Sequence, residues 1–113
     1  WYMPAKNELE VCYYNLKPTT DSNQTGSGIN TNAVPSRTSN YTAGTPAKTT
    51  AAIFDDDVSG AQRFEAGVQR YWSSTEVAAD PGNGFYQLFK TGQQGDNAKT
   101  SSYYVRAVRR VAV

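Results

Sequence analysis

Apolar side chains at Ala5, Leu9, Cys12, Tyr13 and Leu16 recur at i, i+4, i+7, i+8 and i+11. That spacing predicts an amphipathic helix over residues 5–16. Trp1-Tyr2-Met3 reads as a short strand leading into it, and Pro4 suits the approach to a helix, where its missing N–H costs little. Glu8 and Glu10 stand toward the N-terminal end and Lys17 at the C-terminal end, as the helix dipole prefers. Pro18 stops the helix. Cys12 falls on the apolar face and reads as a small buried hydrophobe rather than a reactive thiol.

The pattern then lapses. From 19 to 57 the chain is dominated by Thr, Ser, Asn, Gly and Pro with no sustained period. A loop of this length in a compact domain is either functional or disordered. Isolated apolar residues, Ile29, Val34, Tyr41, Ile53 and Phe54, read as anchors and favour an ordered loop. Asn23-Gln24-Thr25 and Asn40-Tyr41-Thr42 match the glycosylation pattern, as expected by chance in such a stretch. Asp55-Asp56-Asp57 lacks calcium-loop spacing and reads as a solvated turn.

Periodicity returns beyond it. Ser59-Gly60-Ala61-Gln62 resembles a capping box, and Ala61, Phe64 and Val68 fall on one face, so a second short helix is expected, ending near Gly67. Strands are expected over 69–75, over 85–90 and over 102–113. The turn Asp80-Pro81-Gly82-Asn83-Gly84 separates the first two, and a polar loop over 91–97 separates the last two. In the last strand Tyr103, Val105, Ala107, Val111 and Val113 are apolar and Arg109 is the exception, which a bulge near Ala107-Val108 would explain. The stretch Tyr71-Trp72-Ser73-Ser74-Thr75-Glu76 is expected to share a sheet with this last strand, with Trp72 in the core beneath it. Trp1, Leu9 and Val105 complete the expected core. The fold class is α+β: two short helices, a long irregular loop and a small antiparallel sheet, as one domain over 1–113.

Composition narrows the chemistry. The 113 residues allow one small core, and hydrophobic content of 38% puts weight on 8 Tyr, 4 Phe and 2 Trp. A net charge of +1 gives no electrostatic reason to expect nucleic acid, and no apolar run is long enough for membrane insertion. One cysteine excludes an internal disulfide and a thiolate metal cluster, and the absence of histidine removes the usual general base and the usual zinc ligand. The chain begins at Trp1 within an apparent motif, and is read as the C-terminal piece of a longer or processed protein.

Three patches in order, Trp1-Tyr2-Met3-Pro4-Ala5-Lys6-Asn7-Glu8-Leu9, Tyr71-Trp72-Ser73-Ser74-Thr75-Glu76 and Tyr104-Val105-Arg106-Ala107-Val108-Arg109, together resemble the DUF1566-type domain. That domain closes the Legionella collagen-like adhesin and many bacterial surface and phage virion proteins. The resemblance implies a C-type-lectin-like fold, and the Thr/Asn/Gly-rich insertion is most similar to versions on phage tail fibres. It further implies a virion-surface, extracellular location and a homo-oligomer, with a trimer expected. Ala5 stands where relatives carry the Ser of a capping box with Glu8, and Ala107 stands where many carry Cys. The family has no agreed catalytic residue to carry over.

Enzymatic readings find little support. Glu76 and Asp80 are a carboxylate pair of undetermined geometry for glycoside hydrolysis. The formylglycine-generating oxidases, which resemble this fold, need paired cysteines. The Glu-Pro-Asn and Trp-Asn-Asp motifs of calcium-dependent lectins are missing, so neither metal nor cofactor is expected. Recognition remains. Asn83, Tyr86, Gln93, Gln94, Asn97 and Tyr103, on turns and strands beside the central stretch, are the candidate ligand-binding residues, because Tyr with Asn and Gln makes adaptable polar contact surfaces. The expected partner is a host-surface glycan or protein. The alternative is a structural or decoration module in contact with other virion subunits.

Overall fold

The computed structural model describes residues 1–67 and 69–111. One helix, α1 (Lys6–Leu16), packs on a three-stranded antiparallel sheet in the order β1 (Arg70–Glu76), β2 (Asn83–Leu88), β3 (Gln94–Ala98). A single 3-10 turn at Ala52–Phe54 interrupts the long loop. The class is therefore α+β, as the sequence pattern predicts, with one α-helix among the described residues instead of two.

α1 begins where Ala5 is extended and the chain turns helical. A methyl group cannot cap, but Glu8 supplies half of a capping box by accepting the Ala5 N–H at 3.1 Å. The same carboxylate accepts from Tyr2 and from Arg110, whose Nη2 lies at 3.0 Å. Burial works against the charged form of Glu8, yet these donors outweigh it and hold its pKa below the usual carboxylate value. Leu9 and Tyr13 are buried on the sheet side of the helix. Cys12 is half-buried beside them, and burial raises its thiol pKa.

The core is aromatic. Leu9, Tyr13, Tyr41, Phe64, Tyr71 and Phe89 form one buried cluster. Phe64 and Phe89 stack at 4.0 Å between centroids, and Tyr71 meets Phe89 edge-on at 5.3 Å. Such pairs contribute roughly 0.5–1.5 kcal/mol each beyond their buried area. Gly92 makes room for one of them: its φ is +76°, and a Cβ there would overlap the Tyr13 ring.

Strand alternation divides the sheet into two faces. Tyr71 and Ser73 point to α1 and are buried; Trp72 and Ser74 point away. The pairing Trp72↔Tyr86 and Glu76↔Gly84 leaves two more residues on β1 than on β2 between those points, since 76 − 72 is 4 and 86 − 84 is 2. The bulge at Ser73-Ser74-Thr75 is held by hydroxyls: Ser73 Oγ donates to the Phe85 carbonyl at 2.9 Å, and Thr75 Oγ1 accepts the Lys6 N–H at 2.9 Å.

The second expected helix does not form over 59–67; Val68 lies outside the described residues. Gly60 and Gly67 both take positive φ, and Arg106 donates to the carbonyls of Gln62 and Arg63 at 2.8 and 3.2 Å. Those carbonyls are satisfied by a side chain instead of a helical ladder. Among the described residues of this stretch, Phe64 alone is buried in the core.

The last segment is also not a strand. It touches the body at two isolated bridges, Tyr71↔Tyr104 in parallel sense and Tyr2↔Val108 antiparallel. The alternation is inverted relative to expectation. Val105 is 53% exposed, while Arg106 and Val108 turn inward. Ala112 and Val113 lie outside the described residues. Trp1, expected in the core, is 81% exposed, with Arg109 over its ring at 5.2 Å. Neither Trp1 nor Val105 is a core residue in this chain. Leu9 is, and Trp72 is half-buried on the outer face rather than beneath the sheet. The missing strand is supplied by Gln94–Ala98, a polar run that pairs with β2 from Asn83 to Gln87.

The long loop is tied down, but by polar groups more than by its apolar residues. Ile29, Val34 and Ile53 are exposed, Phe54 is half-buried, and Tyr41 is the one expected anchor that is buried. Glu10 on α1, 2% exposed, accepts from Asn30 Nδ2 at 2.7 Å, from Tyr41 and from Arg37. Lys17, also 2% exposed, donates to Asn23 Oδ1 at 2.9 Å and to the Asp21 carbonyl. Asn23 in turn donates to the Pro46 carbonyl at 2.8 Å and accepts from Tyr13. Glu10 lies mid-helix and Lys17 caps its C-terminal end, and both hold the loop rather than complement the helix dipole.

Candidate functional site

The outer face of the sheet carries a cluster assembled by strand register. Pairing of Trp72 with Tyr86, and of Tyr86 with Gly95, sets one residue of each strand side by side. Gly84 pairs with Asn97 on the same face. Glycine lies beneath the rings: a Cβ on Gly95 would lie 2.6 Å from the Tyr86 hydroxyl and displace that ring, and one on Gly84 would sit tightly at 3.3 Å from the Trp72 ring. The two rings therefore lie low over backbone. Tyr103, from the segment after β3, closes the cluster at 4.6 Å from Trp72 and 5.6 Å from Tyr86.

Polar groups rim these rings. Asn97 Nδ2 donates to the Tyr103 hydroxyl at 2.6 Å. Trp72 Nε1 donates to the Ser101 carbonyl at 3.3 Å. At one end Lys99 pairs with Glu76 at 3.3 Å, both about half exposed, a contact worth ~0–1 kcal/mol. A shallow hollow of about 230 Å³ lies there, lined by Met3, Trp72, Ser74, Glu76, Gly84 and Lys99 among others. At the other end the Arg70 guanidinium lies over Tyr86 at 5.1 Å and over Tyr103 at 5.5 Å. Its Nε is shielded from solvent and has no hydrogen-bond partner among the described residues.

Of the six sequence candidates, Tyr86, Asn97 and Tyr103 come together here. Asn83 stands at the start of β2 and donates to Asp96 at 3.1 Å across the strands. Gln94 faces the other way: its amide donates to the Lys6 carbonyl and to buried Gln87, each at 2.9 Å, which ties β3 to the start of α1. Gln93 is exposed in the β2–β3 connection. Arg70, Trp72 and Lys99 belong to the site and are absent from the sequence candidates. The period-2 alternation Arg70, Trp72, Ser74, Glu76 was the available signal for the first two.

A second hollow, about 200 Å³, opens in the long loop between Tyr14, Arg37, Thr38 and Asn40. Arg37 stacks on Tyr14 at 4.0 Å there, but its charge is already committed to Glu10.

The acidic triplet is fully engaged by bases. Lys48 reaches Asp55 at 3.1 Å and Asp57 at 2.8 Å, and Arg63 pairs with Asp56. The Asp57 backbone N–H and Lys48 hold the Asp55 carboxyl below its usual pKa. No group of three or more metal-ligating side chains occurs among the described residues.

No family model matches the chain, and no curated protein or solved structure matches it. What the outer face can do is therefore read from its own chemistry. Half-buried rings on a rigid sheet, rimmed by amide, hydroxyl and guanidinium donors, form a surface for stacking and hydrogen bonding.

Proposed function

We propose that this chain is a non-catalytic recognition module and that its ligand face is the outer face of the sheet. The observation that carries this is the Trp72–Tyr103–Tyr86 cluster seated on Gly84 and Gly95. Half-exposed aromatic side chains on and beside the strands, with Asn97 and Arg70 next to them, suit the apolar face and hydroxyl edge of a sugar. The resemblance to DUF1566-type domains adds the setting: a C-type-lectin-like module on a phage tail fibre or similar appendage, binding a host-surface glycan. The face is small, so single-site affinity is weak, and a homo-oligomer such as a trimer compensates by avidity.

A second reading has its own support. Trp1, Tyr104, Val105 and Val111 are exposed, at 81%, 45%, 53% and 70%. Such residues favour a structural module packed against other virion subunits. Cell adhesion separates the two readings. Tyr86→Ala combined with Asn97→Ala should abolish adhesion with an unchanged melt if the sheet face is the ligand site. Full adhesion by the double variant would favour the structural reading.

A further inference from the structure

Resting on that reading, we propose that the ligand is an acidic glycan, whose anionic group is seated on Arg70. Every other arginine outside the terminal segment has its guanidinium bound to protein: Arg37 to Glu10, and Arg63 to Asp56 and Glu65. In that segment Arg106 donates to two carbonyls and Arg110 pairs with Glu8, while Arg109 lies over Trp1. Arg70 differs. Like Arg109 it has no carboxylate or carbonyl bound to it among the described residues, but unlike Arg109 it stands on the sheet face, beside the rings of Tyr86 and Tyr103. The carboxylates nearest in strand order offer it nothing: Glu76 is paired with Lys99, and Asp96 accepts from Asn83.

The face thus presents one uncompensated positive charge, since Lys99 and Glu76 cancel. The guanidinium sits between two tyrosine rings, 5.1 Å from Tyr86 and 5.5 Å from Tyr103, which are set at 71° to each other and narrow the space its rotamers can sweep. A guanidinium fork whose η-nitrogens have no hydrogen-bond partner among the described residues matches a carboxylate in bidentate fashion. The sugar ring carrying that carboxylate then lies over the Tyr103–Trp72 edge, where Asn97 and Ser74 reach its hydroxyls. A uronic or sialic acid has this shape. A sulfate or phosphate ester shares the charge but is tetrahedral, so it matches the fork less well.

The test is binding of the whole chain to oligogalacturonate, to the corresponding neutral galactose oligomer, and to dextran sulfate beside plain dextran, at low and high salt. Oligogalacturonate should bind at least roughly tenfold tighter than the neutral oligomer, with the preference falling as salt rises. Arg70→Gln should remove the preference. Arg70→Lys, which keeps the charge and loses the fork, should recover only part of it and serves if the glutamine variant melts early. Dextran sulfate binding tighter than oligogalacturonate would overturn the carboxylate assignment. Equal binding of acidic and neutral oligomers, unchanged by Arg70→Gln but lost in the Tyr86→Ala/Asn97→Ala double variant, would overturn the acidic-ligand inference while leaving the recognition reading standing. No binding to any of these, together with adhesion that survives the double variant, would overturn both.

Discussion

Arg37, in the middle of the long loop, reaches the buried carboxylate of Glu10 on α1. Asn30 and Tyr41 donate to the same carboxylate, so one side chain closes three separate points of the loop onto the helix. Removing it leaves a guanidinium, an amide and a phenol buried without their acceptor. Glu10→Ala should therefore cost about 3–5 kcal/mol, the range for breaking a buried charged pair from one side. Urea unfolding measures it. A change below ~1 kcal/mol would mean that the loop is not held through Glu10.

The sheet's two faces should respond differently to truncation. Phe89 is fully buried and touches Phe64, Tyr71 and Tyr13, so Phe89→Ala should cost about 3–5 kcal/mol. Trp72 is half-buried on the outer face, and Trp72→Ala should cost roughly 1–2 kcal/mol from the area it still removes from water. Thermal melts of the two variants compare them directly. Equal losses would move Trp72 back into the core.

Alkaline pH should unfold the chain. Burial raises the phenol pKa of Tyr13, Tyr41 and Tyr71 above its usual 10.0, and for Tyr41 the bond to Glu10 adds to this. A raised folded pKa means that the unfolded chain releases protons which the folded chain keeps. The stability from these phenols is whole below about pH 10 and is lost as pH rises beyond it. Burial lowers the pKa of Lys17 below 10.5, which works in the opposite direction, but it is one group against three. The urea midpoint should fall steeply above pH 10. In a tyrosinate absorbance titration Tyr13, Tyr41 and Tyr71 should ionise together with unfolding. Smooth ionisation of all tyrosines without loss of structure would contradict this.

Chelator should leave the melt unchanged. Asp55, Asp56 and Asp57 are paired with Lys48 and Arg63 and would have to give up those partners to bind a cation. A lower midpoint with excess chelator would point back to this triplet.

Helix α1 and strands β1 and β2 were legible because burial alone dictates them: Leu9 and Tyr13 recur with helical spacing, and Tyr71 and Ser73 alternate across a strand. The remaining elements depend on partners distant in sequence. Gln94–Ala98 has no strand-forming residue, yet it pairs with β2, and Gly95 is there to admit Tyr86. The apolar alternation in the last segment predicts a strand, but Val105, Ala107 and Val111 are exposed and Arg106 faces Phe64 at 4.7 Å. Ala61 and Phe64 had helical spacing, but flanking glycines and Arg106 hold an irregular path. The long loop's isolated apolar residues predict its anchors, whereas Glu10 and Lys17 hold it, and hydrophobic patterning carries no signal for a buried polar hub. For the site, Tyr86, Asn97 and Tyr103 were visible as residue types. Arg70 and Trp72 became visible only when register placed them on the same face.

Hydroxyl-radical footprinting of the chain bound to cells it adheres to tests the ligand face most directly. Trp72, Tyr86 and Tyr103 should lose reactivity on binding, while Trp1 keeps its own. Protection of Trp1 and Tyr104, with Tyr86 and Tyr103 as reactive as in the free chain, would contradict an outer-sheet ligand site.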